Sequence, residues 1–398
     1  MSSLRVVIIG GGFGGLSAAA MLARAGARVT LLEKNDTLGG RARVWNRDGF
    51  RFDMGPSWYW MPDVFQRFFG LFGRSVSDFY TLTRLDPSYR VWFGPGERLD
   101  LPAGVEPLTT LFDSLEPGAG DRLRAFLDDA EYKYSRGMGD FVHKPGLSLR
   151  EFADPRLLWA LIRLQMLQSF RSHVRRHFTH PRLREVMEFP VLFLGATPPR
   201  TPALFSLMNH ADMALGTWYP QGGMGSVVQA FATLARDEGA ELRTGARVRR
   251  IVVRHGRVEG VEVDRGEEES ERIEADVVLA NADYAHVEQA LLSPSDRQYT
   301  RRYWDTRTLS PSSLLFYLGV EGRVDGLRHH TLFFDEALDA HADAIYENPR
   351  WPERPLFYVS APSRTDPTVA PTVHENLCLL IPLAPRLQDP DETRERYF

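Results

Sequence analysis

The pattern of hydrophobic residues near the N-terminus predicts a strand, a helix and a second strand. Val6 to Ile9 is a short run of β-branched residues, which is typical of a buried parallel strand. After a glycine-rich stretch, Leu16 to Ala25 contains good helix formers and stops at Gly26. Val29 to Leu32 then predicts another strand. This order is typical of the start of a doubly wound parallel sheet.

The glycines between the first strand and the helix form the motif G-x-G-x-x-G at Gly10, Gly12 and Gly15, with Gly14 inside it. In such a motif the first glycine permits a tight turn, the second lets a pyrophosphate approach the backbone, and the third lets the helix pack closely. The helix N-terminus supplies N–H groups for the phosphates. Glu33 follows the second strand, where a carboxylate can accept hydrogen bonds from an adenosine ribose. The sequence therefore predicts a Rossmann-like, dinucleotide-binding domain of the α/β class.

The segment after Glu33 favours FAD over NAD. Lys34 follows directly, and Leu38 to Ala42 then holds a second pair of glycines and an arginine. This arrangement resembles flavoproteins of the amine oxidase superfamily, in which the loop follows the FAD pyrophosphate. Phe52 to Ser57 is similar to the superfamily segment that passes close to the isoalloxazine ring, and the backbone of Val248 is expected beside the adenine. The resemblance implies FAD contacts at Lys34, Gly40, Arg41, Gly55, Pro56, Ser57 and Val248.

The later pattern predicts that the FAD-binding domain is discontinuous. Ser226 to Asp237 is typical of a helix, and the residues from Ala246 to Val263 alternate as a β-hairpin. Ala275 to Asp283 predicts a buried strand with polar residues at its C-terminal end, where doubly wound sheets bind ligands. We predict an FAD-binding domain from residues 1–80 and 220–295 and a substrate domain from 81–219 and 296–398, with a helical subdomain at about 121–184.

Composition narrows the class of protein. The chain has 398 residues, of which 43% are hydrophobic and 25% charged, so it can form more than one core and is not a disordered chain. A net charge of −4 argues against nucleic acid as a partner. The single cysteine, Cys378, excludes a disulfide framework and a cysteine-based metal site, and we predict no metal. No signal peptide or membrane span is predicted.

Longer segments resemble the bacterial-type phytoene desaturases of the carotenoid desaturase family, most closely at Gly55 to Phe65. The other similar segments are Phe189–Gly195, Thr201–Leu204, Asn209–Asp212, Trp218–Met224 and Pro362–Pro367. The resemblance implies FAD-dependent desaturation of a long-chain isoprenoid polyene, such as phytoene or a related carotenoid precursor, by hydride transfer to flavin with proton loss. It also implies a mixed-sheet substrate domain, helices that contact a membrane, and oxygen or quinone as the electron acceptor.

The C-terminal end departs from the family pattern. The family resembled here usually continues well beyond this length and returns to the FAD with a glycine-rich segment, whereas this sequence ends at Phe398. We therefore expect the chain to be a truncated or split member of the family.

Other functions remain open at this point. One alternative is another flavin oxidase, or a carotenoid ketolase or isomerase, and a second is a non-catalytic isoprenoid-binding escort protein. The intact glycine motifs argue against the escort protein, because such proteins bind lipid without flavin. No catalytic residue is assigned, since Asp53, His210, Asp212 or water could accept the substrate proton. The pair His329-His330 is more often a surface or core feature than a functional one.

The stretch Leu157 to Phe170 is apolar on nearly every face and is followed by Arg171, Arg175 and Arg176. One interpretation is a buried helix of the helical subdomain. The alternative is a helix that lies on a membrane, with these arginines and Arg163 at the headgroups. We expect a cytoplasmic protein that is peripherally associated with the membrane surface, because its expected hydrophobic substrate dissolves in bilayers.

Overall fold

The computed structural model describes residues 3–142, 163–264 and 269–398. The strands are β1 (Arg5–Ile9), β2 (Arg28–Leu32), β3 (Val44–Arg47), β4 (Phe50–Asp53), β5 (Leu82–Arg84), β6 (Tyr89–Gly94), β7 (Glu97–Leu101), β8 (Trp218–Pro220), β9 (Glu241–Arg243), β10 (Val248–Arg254), β11 (Arg257–Asp264), β12 (Ser270–Glu274), β13 (Val277–Ala280), β14 (Ser312–Glu321), β15 (His330–Phe333), β16 (Phe357–Ser360) and β17 (His374–Leu383). The helices are α1 (Phe13–Arg24), α2 (Pro62–Gly70), α3 (Val105–Leu115), α4 (Ala119–Arg136), α5 (Phe170–His177), α6 (Pro181–Glu188), α7 (Leu207–Asn209), α8 (Met224–Asp237), α9 (Tyr284–His286), α10 (Arg301–Asp305), α11 (Leu338–Tyr346) and α12 (Asp391–Tyr397).

A parallel four-stranded sheet with the order β13-β1-β2-β9 forms the first layer. Helices α1 and α8 pack on one face of it, where Ile8, Leu16 and Leu31 are fully buried. The three-stranded sheet β10-β11-β12 contributes to a second core that includes Val7 and Val261. Strands from the N-terminus and strands after residue 220 thus pair in one sheet, and the α/β fold class is confirmed.

The second layer is a six-stranded sheet with the order β14-β17-β16-β15-β6-β7. β15 and β6 run parallel and the other neighbours run antiparallel, so the sheet is mixed. β6 and β7 form a hairpin at one edge of this sheet. Helices α3 to α6 pack beside this sheet around Phe112, Phe126 and Phe178, which are fully buried.

The stretch predicted as one helix from Leu157 to Phe170 is not continuous in its described part. Residues 157–162 lie outside the described residues, whereas 164–168 form turns and a bend, with Gln165 at φ 54°, and Ser169 forms an isolated β-bridge with Pro202. Helix α5 begins only at Phe170. The predicted helix is therefore wrong between residues 164 and 169, because a left-handed residue cannot continue a right-handed helix.

The surface of this stretch also differs from a uniformly apolar helix. Leu167 is 97% exposed, whereas Leu164 is 1% exposed. Arg171 and Arg175 approach the buried Glu188 carboxylate at 3.2 and 3.7 Å, so part of their charge is neutralised within the protein. Among the described residues, no helix combines the length and the hydrophobicity that crossing a bilayer requires.

Candidate cofactor and active site

The glycines after β1 pack against the residue that follows β13. Gly10 has a φ of +103°, and its N–H donates to the Leu32 carbonyl at 2.8 Å. A Cβ at Gly10 would lie 2.6 Å from the Asn281 carbonyl oxygen, and one at Gly15 would lie 2.0 Å from the Gly10 carbonyl oxygen. At Gly14 the side-chain oxygen of Asn281 would be 2.7 Å away. Close packing at these glycines therefore fixes the turn that leads into α1.

Gly12 differs from its neighbours because it faces open space. The atom nearest to a Cβ built on Gly12 is the Gly39 carbonyl oxygen at 3.9 Å, and a Cβ at Gly40 would approach the Gly12 Cα at 3.3 Å. Gly12 is the N-cap of α1 and makes no side-chain cap, so the first N–H groups of the helix have no intrahelical partner. This arrangement of bare backbone at the positive end of a helix fits the pyrophosphate of FAD. We call Gly10–Gly15 and Gly39–Arg41 the glycine cradle.

The Glu33 carboxylate is 4% exposed and holds the same loop. It accepts hydrogen bonds from the Gly11 N–H at 2.8 Å and from the N–H and side-chain amide of Asn35 at 3.0 and 2.6 Å. The Glu33 carbonyl accepts from the Ala246 N–H at 2.8 Å, which brings the start of β10 at Val248 to the same edge of the sheet. Glu33 and the start of β10 at Val248 therefore lie at the same edge of the sheet, and their predicted contacts with the adenosine half of FAD stay predictions.

The remaining predicted cofactor residues are Lys34, Arg41 and the segment from Gly55 to Ser57. Lys34, Arg41 and Pro56 are exposed, and Ser57 is half-buried. A Cβ at Gly55 would lie 2.1 Å from the Arg41 carbonyl oxygen, so the second glycine loop and the Gly55 segment are in contact. The individual contacts of these residues with FAD stay predictions.

A small cavity lies beside Ser57, where β4, β8, β16 and β17 meet. Its lining residues are Phe52, Asp53, Ser57, Tyr219, His329, Ser360, Pro362, Asn376 and Cys378. Burial raises the pKa of the Cys378 thiol to about 12, so this cysteine is a poor nucleophile. The cavity thus places polar groups next to the segment that is predicted to pass the isoalloxazine ring.

Asp53, one of the candidate proton acceptors, caps helix α8. Its carboxylate accepts hydrogen bonds from the N–H groups of Met224 and Gly225 at 2.7 and 3.1 Å. Burial nevertheless raises the pKa of Asp53 to about 6. Because the helix end engages both oxygens, the geometry favours a structural role for this carboxylate.

Asp212, another candidate, lies in the π-helical turn that starts at His210 and is 1% exposed. The Tyr89 hydroxyl donates to one carboxylate oxygen at 2.9 Å, and the Thr217 hydroxyl donates to the other at 3.1 Å. Thr217 in turn accepts from the Trp60 indole at 2.8 Å. Burial raises the pKa of Asp212 to about 7 and lowers the pKa of His210. Asp212 is therefore the buried anchor of a hydrogen-bonded chain rather than a free base.

Large rings fill the space beside Ser57. Trp58 stacks on His330, with ring centroids 4.1 Å apart and 9° between the planes. The Tyr358 hydroxyl lies 2.9 Å from the Ser57 hydroxyl. The other rings around Trp58 are Trp60, Tyr89, Tyr358 and Phe189, at centroid distances of 5.3, 5.4, 5.6 and 6.3 Å. We call Trp58, His330 and these four rings the Trp58 cluster.

Comparison with known proteins identifies the family to which the chain belongs. Residues 13–396 match the family described as flavin containing amine oxidoreductase. The chain belongs to this family. As a flavin-containing amine oxidoreductase, the protein uses FAD, and the glycine cradle fits that cofactor.

This chain is similar to three curated carotenoid enzymes. It is 45% identical over 400 residues to a carotenoid 3,4-desaturase of Haloarcula japonica, covering 100% of this chain and 79% of the relative. It is 35% identical to a zeta-carotene-forming phytoene desaturase of Myxococcus xanthus, covering 97% and 74%. It is 33% identical to a 4,4'-diapolycopene oxygenase of Methylomonas sp, covering 99% and 78%. The predicted resemblance to the carotenoid desaturase family is confirmed.

Solved structures show the same fold at low identity. An oxidoreductase from Methanosarcina mazei matches with a TM-score of 0.59 and 17% identity, over 99% of this chain and 81% of that chain. A Rab GDI from Plasmodium falciparum matches with a TM-score of 0.58 and 11% identity, over 100% and 86%. Since an oxidoreductase and a Rab GDI share this fold, the fold alone does not decide the activity.

Sequence reasoning did not assign a role to His330, Tyr358 or Asn281. β15 pairs with β16 so that His330 lies opposite Ser360, and Tyr358 is two residues away from Ser360 on the same face of the sheet. Asn281 is one of the polar residues at the end of the buried strand predicted from Ala275 to Asp283. That position at the carboxyl end of a parallel strand was the signal that could have found it.

Proposed function

We propose that this amine oxidoreductase desaturates a long-chain isoprenoid polyene, such as phytoene or a related carotenoid precursor. The observation that carries the proposal is the Trp58 cluster. It lies next to Ser57, beside the expected position of the flavin. A polyene offers no polar group for recognition, so its site must provide apolar and aromatic contact. The desaturases among the relatives support the same class of substrate.

Bound FAD supplies the two-electron acceptor for a hydride. The chain would hold and orient the cofactor: Gly12 and Gly40 would admit the pyrophosphate, Glu33 would accept from the ribose, and the backbone of Val248 would lie beside the adenine. Gly55 to Ser57 would line the isoalloxazine side of the site. The carbon next to the oxidised one loses a proton, and a conjugated double bond forms. The rings of the Trp58 cluster exclude water from the reacting carbons.

The surroundings of the reaction are part of the proposal. The polyene dissolves in bilayers, so the protein associates with a membrane surface, with the exposed Leu167 near the contact. Oxygen or a quinone would serve as the final electron acceptor. Residues 157–162 of the helix predicted from Leu157 to Phe170 lie outside the described residues, so this stretch enters the proposal only through residues 163–170.

A second candidate is oxygenation of a carotenoid, because the chain is also 33% identical to a 4,4'-diapolycopene oxygenase. Both reactions would use the same apolar site and the same cofactor. They differ in the product, since desaturation removes hydrogen whereas oxygenation adds oxygen. The escort alternative has less support, because the open space at Gly12 and the intact second glycine loop suit a flavin.

The test is a product analysis. The purified full chain, loaded with FAD, is incubated with phytoene in phosphatidylcholine liposomes, either in air or without oxygen in the presence of a quinone. We expect products with more conjugation and less hydrogen, identified by absorption and mass. Products that gain oxygen instead would favour the second candidate. A flavin-loaded protein that leaves every carotenoid precursor unchanged would rule out both reactions.

Gly12→Ala is the matched control for this experiment. A methyl group at Gly12 meets no protein atom closer than 3.9 Å, so the fold of the apoprotein should be unchanged. The same methyl group occupies the space of the pyrophosphate, so we expect at least a tenfold loss of bound FAD. If Gly12→Ala keeps its flavin, the cradle does not hold the cofactor.

A further inference from the structure

His330 is the buried polar member of the Trp58 cluster. Its side chain is fully buried, and one face of the imidazole stacks on Trp58 at 4.1 Å. Trp58 also contacts Tyr89 and Phe189, so the imidazole is packed against a group of aromatic rings. Burying a titratable group among aromatic rings destabilises the folded protein, so a functional role would explain its presence.

Only one of the two ring nitrogens of His330 forms a hydrogen bond with a described residue. Nδ1 lies 2.6 Å from the Tyr358 hydroxyl, which lies 2.9 Å from the Ser57 hydroxyl. Among the described residues, no atom forms a hydrogen bond with Nε2. If Nδ1 carries the proton and donates it to Tyr358, Nε2 keeps an unused lone pair. The opposite tautomer would bury an N–H donor without an acceptor, which is the more costly arrangement.

We propose that Nε2 of His330 accepts the proton that the polyene loses during desaturation, an inference that rests on the proposed function. One C–H bond of the substrate breaks as its electron pair leaves as a hydride to FAD. A C–H bond on the neighbouring carbon breaks as its proton moves to Nε2, and its electron pair forms the new double bond. Ser57 and Tyr358 link the imidazole to the cofactor side of the site.

The environment suits a base that is neutral at rest. Burial lowers the pKa of His330 well below its usual range, and burial also lowers the pKa of the adjacent His329 to about 3. A weak base is sufficient here, because a carbon skeleton that has lost a hydride is a very strong acid. Once protonated, the imidazolium lies over the face of Trp58, and a cation–π interaction stabilises it. Tyr358 accepts from the Nδ1–H and keeps the ring oriented.

The carboxylates among the other candidates are engaged by other parts of the fold, and His210, whose Nδ1 also lacks a hydrogen-bond partner among the described residues, lies outside the Trp58 cluster. The Asp53 carboxylate accepts from two N–H groups of α8, and Asp212 accepts from Tyr89 and Thr217. His210 lies beside Tyr134, with ring centroids 5.2 Å apart, and does not contact Trp58 in the described ring pairs. His330 is thus the candidate base that lies within the Trp58 cluster.

The experiment compares His330→Gln with His341→Gln in the FAD-loaded full chain. His341 is a matched control, since it is also a buried histidine, with Nε2 2.9 Å from the Pro382 carbonyl and Nδ1 accepting from the Leu356 N–H at 3.0 Å. Flavin bleaching by the polyene is followed without oxygen in a single turnover. We expect His330→Gln to slow bleaching by roughly 10²–10⁴-fold, the usual contribution of a general base. Flavin content and polyene affinity should stay at the parent value, and His341→Gln should bleach at the parent rate.

A second measurement separates proton transfer from loss of structure. With substrate deuterated at the carbon that loses the proton, we expect a larger isotope effect in His330→Gln, because proton removal becomes the slow step. Tyr358→Phe keeps the ring and the stack, and we expect about tenfold slower bleaching with a raised isotope effect. If His330→Gln does not fold, Tyr358→Phe decides the question on its own.

The outcomes are distinguishable. If the parent protein is not bleached by any polyene, the proposed function is wrong. If the parent is bleached and His330→Gln matches it in rate and isotope effect, the proton goes elsewhere and the inference is overturned. An unchanged rate and isotope effect in Tyr358→Phe overturns it equally.

Discussion

Around Gly12 the protein makes room for a ligand by omitting side chains, whereas around Trp58 it fills the space with large rings. In the glycine cradle the close contacts are between backbone atoms, such as the Gly10 carbonyl beside Gly15. In the Trp58 cluster the contacts join side chains from β6, β15 and β16 to the segment after Ser57. The first region is fixed by the path of the chain, and the second by packing between distant elements.

This difference determines how each region should respond to substitution. A side chain added in the cradle meets backbone, which can move only if β1 or α1 moves with it. A side chain changed in the cluster meets other side chains, which can repack within limits. Substitutions in the cradle should therefore lower the stability of the fold or the binding of FAD. Substitutions in the cluster should leave FAD bound and lower the rate of the reaction.

The largest effect on the glycine cradle is expected for Gly15→Ala. The new Cβ would lie 2.0 Å from the Gly10 carbonyl oxygen, so β1 and α1 must separate. We expect the free energy of unfolding to fall by about 3 kcal/mol, at the upper end of the usual cost of overpacking, and FAD to be lost. Denaturant unfolding and released-FAD fluorescence measure the two effects.

Gly70→Ala is the control for that variant. Gly70 ends α2, no atom lies within 4 Å of the added methyl group, and alanine is the better helix former. We expect unchanged or slightly higher stability and full flavin content. A Gly15→Ala protein as stable as Gly70→Ala would mean that the cradle tolerates side chains, and the contrast with the Trp58 cluster would fail.

The same contrast explains what the sequence could predict. The cradle lies within the first part of the chain, and its glycines, helix and Glu33 have fixed spacings, so fold class, cofactor and turn geometry were predictable. The cluster unites Trp58, Tyr89 and His330, which are far apart in sequence and meet only through sheet pairing. No local pattern marks such a meeting. Gln165 similarly breaks a predicted helix because tertiary contacts outweigh local propensity.

A smaller effect on the cradle is expected for Glu33→Ala. The carboxylate holds the N–H groups of Gly11 and Asn35, and it is predicted to accept from the ribose. We expect FAD retention to weaken by about 1.5–3 kcal/mol, the usual contribution of hydrogen bonds to a charged group. Glu33→Gln keeps one acceptor oxygen and should lose less. Equal released-FAD fluorescence in Glu33→Ala and the parent would show that Glu33 supports the loop without binding the cofactor.

Asp212→Asn tests the anchor of the Trp58 cluster through pH. Burial raises the pKa of Asp212 from 3.8 to about 7, so between these values the folded state keeps a proton that the unfolded chain has lost. The contribution of this group to the free energy of unfolding therefore falls by up to about 1.4 kcal/mol per pH unit as pH rises across that window. The asparagine does not titrate, so the stability of the variant relative to the parent should rise with pH.

Denaturant unfolding of both proteins at several pH values between 4 and 8 measures this difference. Asp48→Asn, at an aspartate with an 82% exposed side chain, is the control and should give a flat difference. A flat difference for Asp212→Asn as well would mean that Asp212 is ionised in the folded protein. The Tyr89 hydroxyl would then donate its hydrogen bond to a charged carboxylate.

The smallest effect is expected at Leu167, near which we propose the membrane contact. A charge at Leu164, which is 1% exposed, would test folding rather than membrane binding, whereas Leu167 is 97% exposed and can change without loss of packing. We expect Leu167→Glu to reduce sedimentation with phosphatidylglycerol vesicles about tenfold, because the membrane loses a buried leucine and meets a negative charge. Leu167→Gln should lose less, since it adds no charge. Salt should weaken binding only modestly, because Glu188 already neutralises part of Arg171 and Arg175. If Leu167→Glu sediments like the parent, the membrane contact lies elsewhere on the protein.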